Sequence, residues 1–472
     1  MSTKRLYDRL TEYRDSDYYG FHMPGHKRNG DLMGLGLPYE LDITEIEGFD
    51  DLHHAEGILK EAQERAAAVF GAEETHFLVN GSTVGILSGI LGCTHKGGKI
   101  LIARHCHKSV HHAVYLNELV PRYVYPQFDG QVHMNGEIRA ADVEVELLKE
   151  PDIQAVVIVS PNYDGVVSDV KAIAEVAHRH RIPLIVDEAH GAHFGFHPYF
   201  PERANSLGAD VVINSLHKTL PSLTQTALLH INGPYADRGR IRKYLDMLQS
   251  SSPSYIFMAS LDACVDWLEN SGVMEFERYV KRLDRFREEL KGLRKLRILE
   301  TPHYDKSKLV ISVDKTDMIS KELYNKLFSD FHLQMEMTAG TYVLAMTSVA
   351  DTEEGFRRLR DALYEIDSEA GAAADGSGEE VSGELPRLRQ VYTPYEVECL
   401  RQSHKSELLR WRDAAGRVSL EYAYLYPPGS PVIIPGEEIS EAAASLLEYY
   451  DRKRFQVEGI EEKGKIKVWN HG

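Results

Sequence analysis

Asp187 and Lys218 are the residues whose types and spacing most clearly suggest chemistry. Asp187 ends the apolar run Leu184-Ile185-Val186 and opens Asp187-Glu188-Ala189-His190-Gly191. Lys218 ends Asn214-Ser215-Leu216-His217-Lys218, about thirty residues later. Both segments read as strand ends, and in an open α/β sheet functional groups gather beyond the carboxyl ends of the strands. An aspartate there can pair with a protonated pyridine nitrogen, and a lysine can form an imine with an aldehyde. Ser215 and His217 can donate hydrogen bonds to a phosphate. Lys218 alone reads as a surface lysine beside a helix-capping aspartate. The whole set instead matches pyridoxal 5′-phosphate (PLP), held as a Schiff base on Lys218.

Two other segments fit the same cofactor less specifically. Asn80-Gly81-Ser82-Thr83-Val84-Gly85 reads as a strand–glycine–helix turn, where open N–H groups and two hydroxyls suit a phosphate. Ser and Thr also cap many helices that bind nothing, so this turn gains meaning only from the lysine downstream. Arg104-His105-Cys106-His107-Lys108-Ser109 follows another strand. A histidine there can stack on a flat ring, sit as an ordinary loop residue, or join His111 and His112 on a metal. No acidic or thiolate set completes a zinc pattern, so no metal is expected.

The elements that must position these groups are legible as an alternation of helix and strand. Ile58–Phe70 has helical spacing, His76–Asn80 reads as a strand, and Ser82–Leu91 reads as a helix with Ser82 near its cap. Lys99–Ala103 and Ala155–Ser160 are short, continuous and rich in branched residues, as buried strands are. Val170–Arg179 is a helix, and Leu184–Asp187 and Asp210–Asn214 are strands. This order predicts an α/β fold with a mostly parallel sheet. Beyond about residue 270 the pattern changes to α+β, with a helix over Glu275–Leu293 and a strand over 308–313. A strand pair around Gln334–Met346 follows, then a helix from Asp351 with a Phe356, Leu359, Leu363, Tyr364 stripe. Residues 367–385 are poor in large apolar side chains and read as a flexible linker. The expected divisions are an N-terminal segment (1–50), a large domain (51–270), a small α+β domain (271–366), that linker, and a C-terminal α+β module (386–472).

Composition narrows the class. The chain has 472 residues, 43% hydrophobic and 27% charged, ordinary values for a globular protein of several domains. With 72 acidic against 54 basic residues and a net charge of −18, it lacks the basic balance that nucleic-acid binding requires. Cys93, Cys106, Cys264 and Cys399 lie far apart, which indicates neither a disulfide framework nor a thiolate metal site. There is no signal-peptide pattern and no apolar run long enough to span a bilayer, so a cytoplasmic protein without a membrane partner is expected.

Several motifs, in order along nearly the whole chain, resemble the bacterial ornithine/lysine/arginine decarboxylase family. They are Phe21-His22-Met23-Pro24-Gly25-His26-Lys27, Asp50-Asp51-Leu52-His53, His107-Lys108-Ser109, Asp187-Glu188-Ala189-His190-Gly191, Ser215-Leu216-His217-Lys218, Tyr426-Pro427-Pro428-Gly429-Ser430-Pro431 and Pro435-Gly436-Glu437. Each is moderately specific; the ordered set is highly so. The resemblance implies a PLP-dependent large domain of aspartate-aminotransferase fold type I. Lys218 is then the imine lysine, Asp187 the partner of the ring nitrogen, and His107 the residue stacked on the ring. Ser82, Thr83, Ser215 and His217 hold the phosphate, with His190 close to the ring. A hydroxyl just before Ser252-Pro253 reaches the phosphate across a dimer interface, and Ser250 matches it best, with Ser251 beside it.

The implied reaction is α-decarboxylation of a basic amino acid, arginine first, then lysine or ornithine. Glu437 is a candidate partner for the cationic tail or a loop carboxylate in solvent. The loop holding His26 either lines the entrance or shapes the dimer surface. The sequence departs from the family twice. It has no N-terminal wing domain of the longer members, which favours a homodimer or small homo-oligomer over a large ring. Asp164 also stands where the family tends to have an aromatic residue, in what reads as a polar turn. An aminotransferase on the same fold and a catalytically silent regulatory relative are the rival readings. No motif for an arginine that clamps the α-carboxylate speaks for the first, and retention of Lys218, Asp187 and His107 speaks against the second.

Overall fold

The computed structural model describes residues 5–16, 24, 36–130, 132–373, 384–402, 405–425, 430–453 and 455–470. His26 and residues 426–429 therefore lie outside the described residues. The chain divides into two compact units, one of residues 1–93, 181–280 and 348–350, the other of 94–180, 281–347 and 351–472.

In the first unit, four strands lie in the order Glu74–Leu78, Ala227–Ile231, Val211–Asn214, Leu184–Asp187. The last two are parallel; the first two pairings are antiparallel. Every residue of Val211–Asn214, Ala227–Ile231 and Leu184–Asp187 is buried, as expected of strands covered on both faces. The helix Gly81–Cys93 lies on this sheet. A Cβ at Gly85 would come within 2.7 Å of Leu78, and one at Gly92 within 2.9 Å of the Ile241 backbone. Close packing therefore explains a helix richer in glycine than intrinsic propensity favours. Leu6–Asp15 is tied in by Asp262, which accepts from the Leu6 N–H at 2.9 Å and pairs with Arg65 at 2.5 Å.

In the second unit, Ile153–Val159, Lys99–Ala103 and Val120–Val124 run parallel in that order. The apolar runs of Lys99–Ala103 and Ile153–Val159 are buried along most of their length, Val120–Val124 is only partly so, and Asp169 caps the helix Val170–Arg179 by accepting from Ala172 N–H at 3.0 Å. A separate antiparallel sheet orders Arg297–Leu299, Lys308–Ser312, Tyr342–Met346 and Met337–Ala339. Among the described residues beyond 384, three small antiparallel sheets and two α-helices, Pro394–Gln402 and Glu441–Arg452, surround Trp411, Ile433, Ile439, Leu447, Ile466 and Val468. The α/β class with a mostly parallel sheet is the one the alternation predicted.

Element bounds differ from the expected ones in instructive places. The strand read over His76–Asn80 is Glu74–Leu78, because its partner strand extends to Ile231 opposite Glu74. The helix from Asp351 starts at Glu353 and continues to Glu369, into the stretch read as linker. Asp367 explains the extension. Its carboxylate accepts from the N–H groups of Arg294, Lys295 and Leu296 at 2.7–3.0 Å, so a residue that looks like linker is anchored. Among the described residues no helix is long and apolar enough to cross a membrane.

Candidate active site

Eight of the residues singled out above fall in the first unit, and the fold gathers them at adjoining strand ends. Asp187 is the last residue of its strand and is 4% exposed. Its Oδ1 accepts from Ala189 N–H at 3.1 Å. Burial raises its pKa, against the opposing pull of the Lys218 ammonium and that hydrogen bond. One strand over, Ser215 leads into the single helical turn Leu216–Thr219, which carries Lys218. Lys218 Nζ lies 3.0 Å from His190 Nε2.

Glu188 and Asn214 hold the two strand ends together. Glu188 accepts from Asn214 Nδ2 at 3.0 Å and from Ala204 N–H at 2.8 Å, while Asn214 Nδ2 also donates to the Glu188 carbonyl at 3.1 Å. Asp187 and Ser215 each adjoin one member of this bracket, so it sets their relative register. Sequence reasoning gave neither residue a role. The available signal was a carboxylate and an amide at the ends of two fully apolar runs, positions that a buried strand fills only for polar satisfaction.

Burial pushes the Glu188 carboxyl up to about 8. Between its ordinary 4.5 and about 8 the folded protein keeps a proton that the unfolded chain has released. Stability should therefore fall as pH rises through that window and level off above it. Glu188→Gln should flatten the decline by on the order of 1–4 kcal/mol, as read by denaturant melts at about pH 5 and about pH 8. Parallel pH dependence in variant and wild type would show that Glu188 ionises freely in the fold.

The phosphate-binding candidates divide. Ser82, in the first turn of Gly81–Cys93, hydrogen-bonds through Oγ to Ser215 Oγ, so the two hydroxyls meet at a helix N-terminus. Gly81 has φ +73° and donates its N–H to the Gln225 carbonyl, which turns the chain into that helix. Thr83 is exposed on the same turn. His217 donates from Nδ1 to the Thr226 carbonyl at 2.8 Å, and burial followed by the Lys218 charge lowers its pKa. A donor contact from its Nε2 to a phosphate then needs a second ring proton, which a dianion would favour and burial opposes. Ser250 is exposed; its N–H donates to Asn80 Oδ1 at 3.1 Å, beside the Gly81 turn of its own chain.

His107 and Glu437 belong to the second unit. His107 is the N-cap of the helix Lys108–Leu116, its Nδ1 accepting from Ser109 N–H at 3.3 Å and lying 2.9 Å from Ser109 Oγ. Its neighbours His105 and His111 are buried; desolvation brings His105 down to about 4. Glu437, expected near a substrate tail or in solvent, is instead fully buried and paired with Arg104 at 3.0 Å. Arg104 was passed over in the sequence, although a cation directly after the apolar strand Lys99–Ala103 was a signal. Asp164 accepts from Tyr342 Oη at 2.5 Å, so the polar-turn reading has an internal partner.

The first unit thus offers a buried carboxylate, an amine close to it, and touching hydroxyls at a helix N-terminus. A buried carboxylate calls for a cationic partner, and the open turn calls for an anion. The residues fit PLP on both counts. Removing either hydroxyl should weaken PLP retention: Ser82→Ala or Ser215→Ala is expected to lose about tenfold in affinity, read by titrating PLP into stripped protein. Unchanged affinity in both would move the phosphate elsewhere.

Fold and site together define an α/β enzyme of the fold-type-I class. Residues 4–339 match the major domain of the Orn/Lys/Arg decarboxylases, and residues 383–457 match that family's C-terminal domain. The chain belongs to the Orn/Lys/Arg decarboxylase family, and it is a decarboxylase. It is 30% identical to the arginine decarboxylase of Bacillus subtilis (strain 168) over 94% of this chain and 92% of that protein. The structure of the Escherichia coli constitutive lysine decarboxylase superposes with a TM-score of 0.82 at 21% identity, covering 98% of this chain and 82% of that one. An alanine–glyoxylate aminotransferase of Nostoc sp. shares the fold more loosely, at TM-score 0.55 and 14% identity over 66% of this chain and 87% of its own. The family is one of PLP-dependent enzymes.

Proposed function

We propose that the protein decarboxylates L-arginine to agmatine with PLP held on Lys218. The observation that carries the reading is the Lys218–His190 contact of 3.0 Å, one strand from the buried Asp187. Bound there, PLP would supply an electrophilic carbon at which the substrate amine replaces the Lys218 amine, and an electron-poor ring to accept the electrons left by departing CO₂. Asp187 holds the proton at the ring nitrogen and so keeps the ring electron-poor. Ser82 and Ser215 orient the cofactor through its phosphate. His190 Nε2 can take or return a proton at Lys218 Nζ, which lets Lys218 act as a neutral amine, and either Lys218 or a nearby histidine then protonates Cα. Walls around the site must hold the Cα–carboxylate bond perpendicular to the ring, since only that bond then weakens.

Arginine is placed ahead of lysine because the relative of matching length, aligned over nine-tenths of both chains, is named for arginine. His107 at the ring face and His26 at the entrance rest on the family likeness. So does a homodimer or higher homo-oligomer in which the exposed Ser250 serves a second copy's phosphate. A cytoplasmic role, in polyamine supply or in acid resistance, belongs to the same reading. Amine formation measured on arginine, lysine and ornithine tests the substrate. Agmatine should form with kcat/KM at least about tenfold above cadaverine or putrescine. Cadaverine as the dominant product would overturn the arginine assignment, and a 2-oxo acid without CO₂ would overturn decarboxylation.

A further inference from the structure

Arg104 is a charged residue with its side chain wholly out of water, held beside Tyr125 and by three hydrogen bonds to groups within residues 431–437. Its Nη1 donates to the Pro431 carbonyl at 2.7 Å, and its Nη2 to the Val432 carbonyl and to Glu437 Oε2, each at 3.0 Å. Glu437 Oε2 also accepts from Ile434 N–H at 2.8 Å, which fixes the carboxylate before it meets the guanidinium. Two neighbours repeat the connection. Ser430 Oγ donates to the His105 carbonyl at 2.8 Å, and Lys108 Nζ lies 5.5 Å from the Tyr424 ring centroid. The residues held in this way, 104 to 108, form the turn that places His107 at the start of its helix.

The pair is a poor choice if stability were its only purpose. Taking two charges out of water is repaid only when all their polar atoms find partners. Here Arg104 Nε and Glu437 Oε1 are buried without a hydrogen-bond partner among the described residues. Burial works to lower the Arg104 pKa, but Glu437 and the nearby tyrosines more than offset it, so the guanidinium stays charged. What such a pair offers over an apolar contact is direction: two forked donors meeting two carbonyls and a carboxylate admit one register.

We propose that Arg104 and Glu437 are positioning residues through which the C-terminal module fixes the 104–108 turn and, with it, the place of His107. The proposal rests on the reading of His107 as a cofactor-facing residue, and the tests separate the two. Hydrogen exchange of residues 104–116, followed in the PLP-free protein, reads the lock directly. Glu437→Gln, which keeps the shape and removes the charge, should speed exchange there about tenfold, with melting of the rest of the protein little changed. In the PLP-loaded enzyme the same variant should lower kcat on the order of tenfold to a hundredfold, with KM within about threefold of wild type. Arg104→Lys keeps the charge but loses the fork; it should show the same pattern, and serves if Glu437→Gln fails to fold. Wild-type exchange in both variants would overturn the proposal. So would a raised KM with kcat intact in Glu437→Gln, which would make that carboxylate a substrate contact. His107→Ala is the separate control: full kcat there would end the cofactor-facing assignment, whatever the exchange data show.

Discussion

Lys218→Ala is expected to abolish turnover, with kcat down about a thousandfold or more, while the protein still folds and still binds PLP without a covalent bond. In the proposed reaction the side chain forms the covalent link, and it or a nearby histidine delivers a proton to Cα once CO₂ has left. His190 lies 3.0 Å from Nζ, so the variant keeps a proton-carrying group but loses the atom that group serves. Neither task depends on packing: Lys218 is only partly buried on a one-turn helix, so its loss leaves no large cavity. Unchanged melting with lost activity is therefore the expected signature. Normal decarboxylation by Lys218→Ala would remove the lysine from the mechanism.

Asp187→Ala should have the next largest effect on activity, with stability unchanged or raised. This carboxylate is 4% exposed, and burial disfavours its charged form. Replacing it relieves that cost, so the PLP-free variant should melt at or above the wild-type temperature. Turnover should fall by on the order of a hundred- to several-thousand-fold, because a buried charge pair with the ring nitrogen is worth about 3–5 kcal/mol when one partner is removed. Stability gained where activity is lost is the pattern of a residue kept for function. Circular dichroism melts and single-turnover rates on the same preparation check it; full activity would mean that another group keeps the ring nitrogen protonated.

The lysine and aspartate were legible because buried parallel strands write themselves as short apolar runs, and the chemistry begins where the run stops. Leu184–Asp187 shows this directly, and so does Val211–Asn214, whose expected start was one residue early. The bracket that aligns those strand ends was not legible. Glu188 and Asn214 meet across 26 residues, so although each stands at the end of an apolar run, nothing local shows that they pair. Asp367 was misread for the same reason, since its partners lie 71–73 residues away. Gly85 and Gly92 argue locally against a helix, yet the close approach of Leu78 and Ile241 leaves no room there for a Cβ without a shift. Arg104 and Glu437 are the extreme case, being 333 positions apart. Sequence position suggested a tail-binding carboxylate, whereas the fold supplies it with a cation of its own.

The central claim is that Lys218, and no other lysine, carries the cofactor. Borohydride reduction of the PLP-loaded protein, followed by proteolysis and peptide mass mapping, tests it most directly. The phosphopyridoxyl group should appear on the peptide containing Ser215-Leu216-His217-Lys218, at Lys218 and in near-stoichiometric amount. Label on a different lysine, or none under conditions that support decarboxylation, would contradict the account.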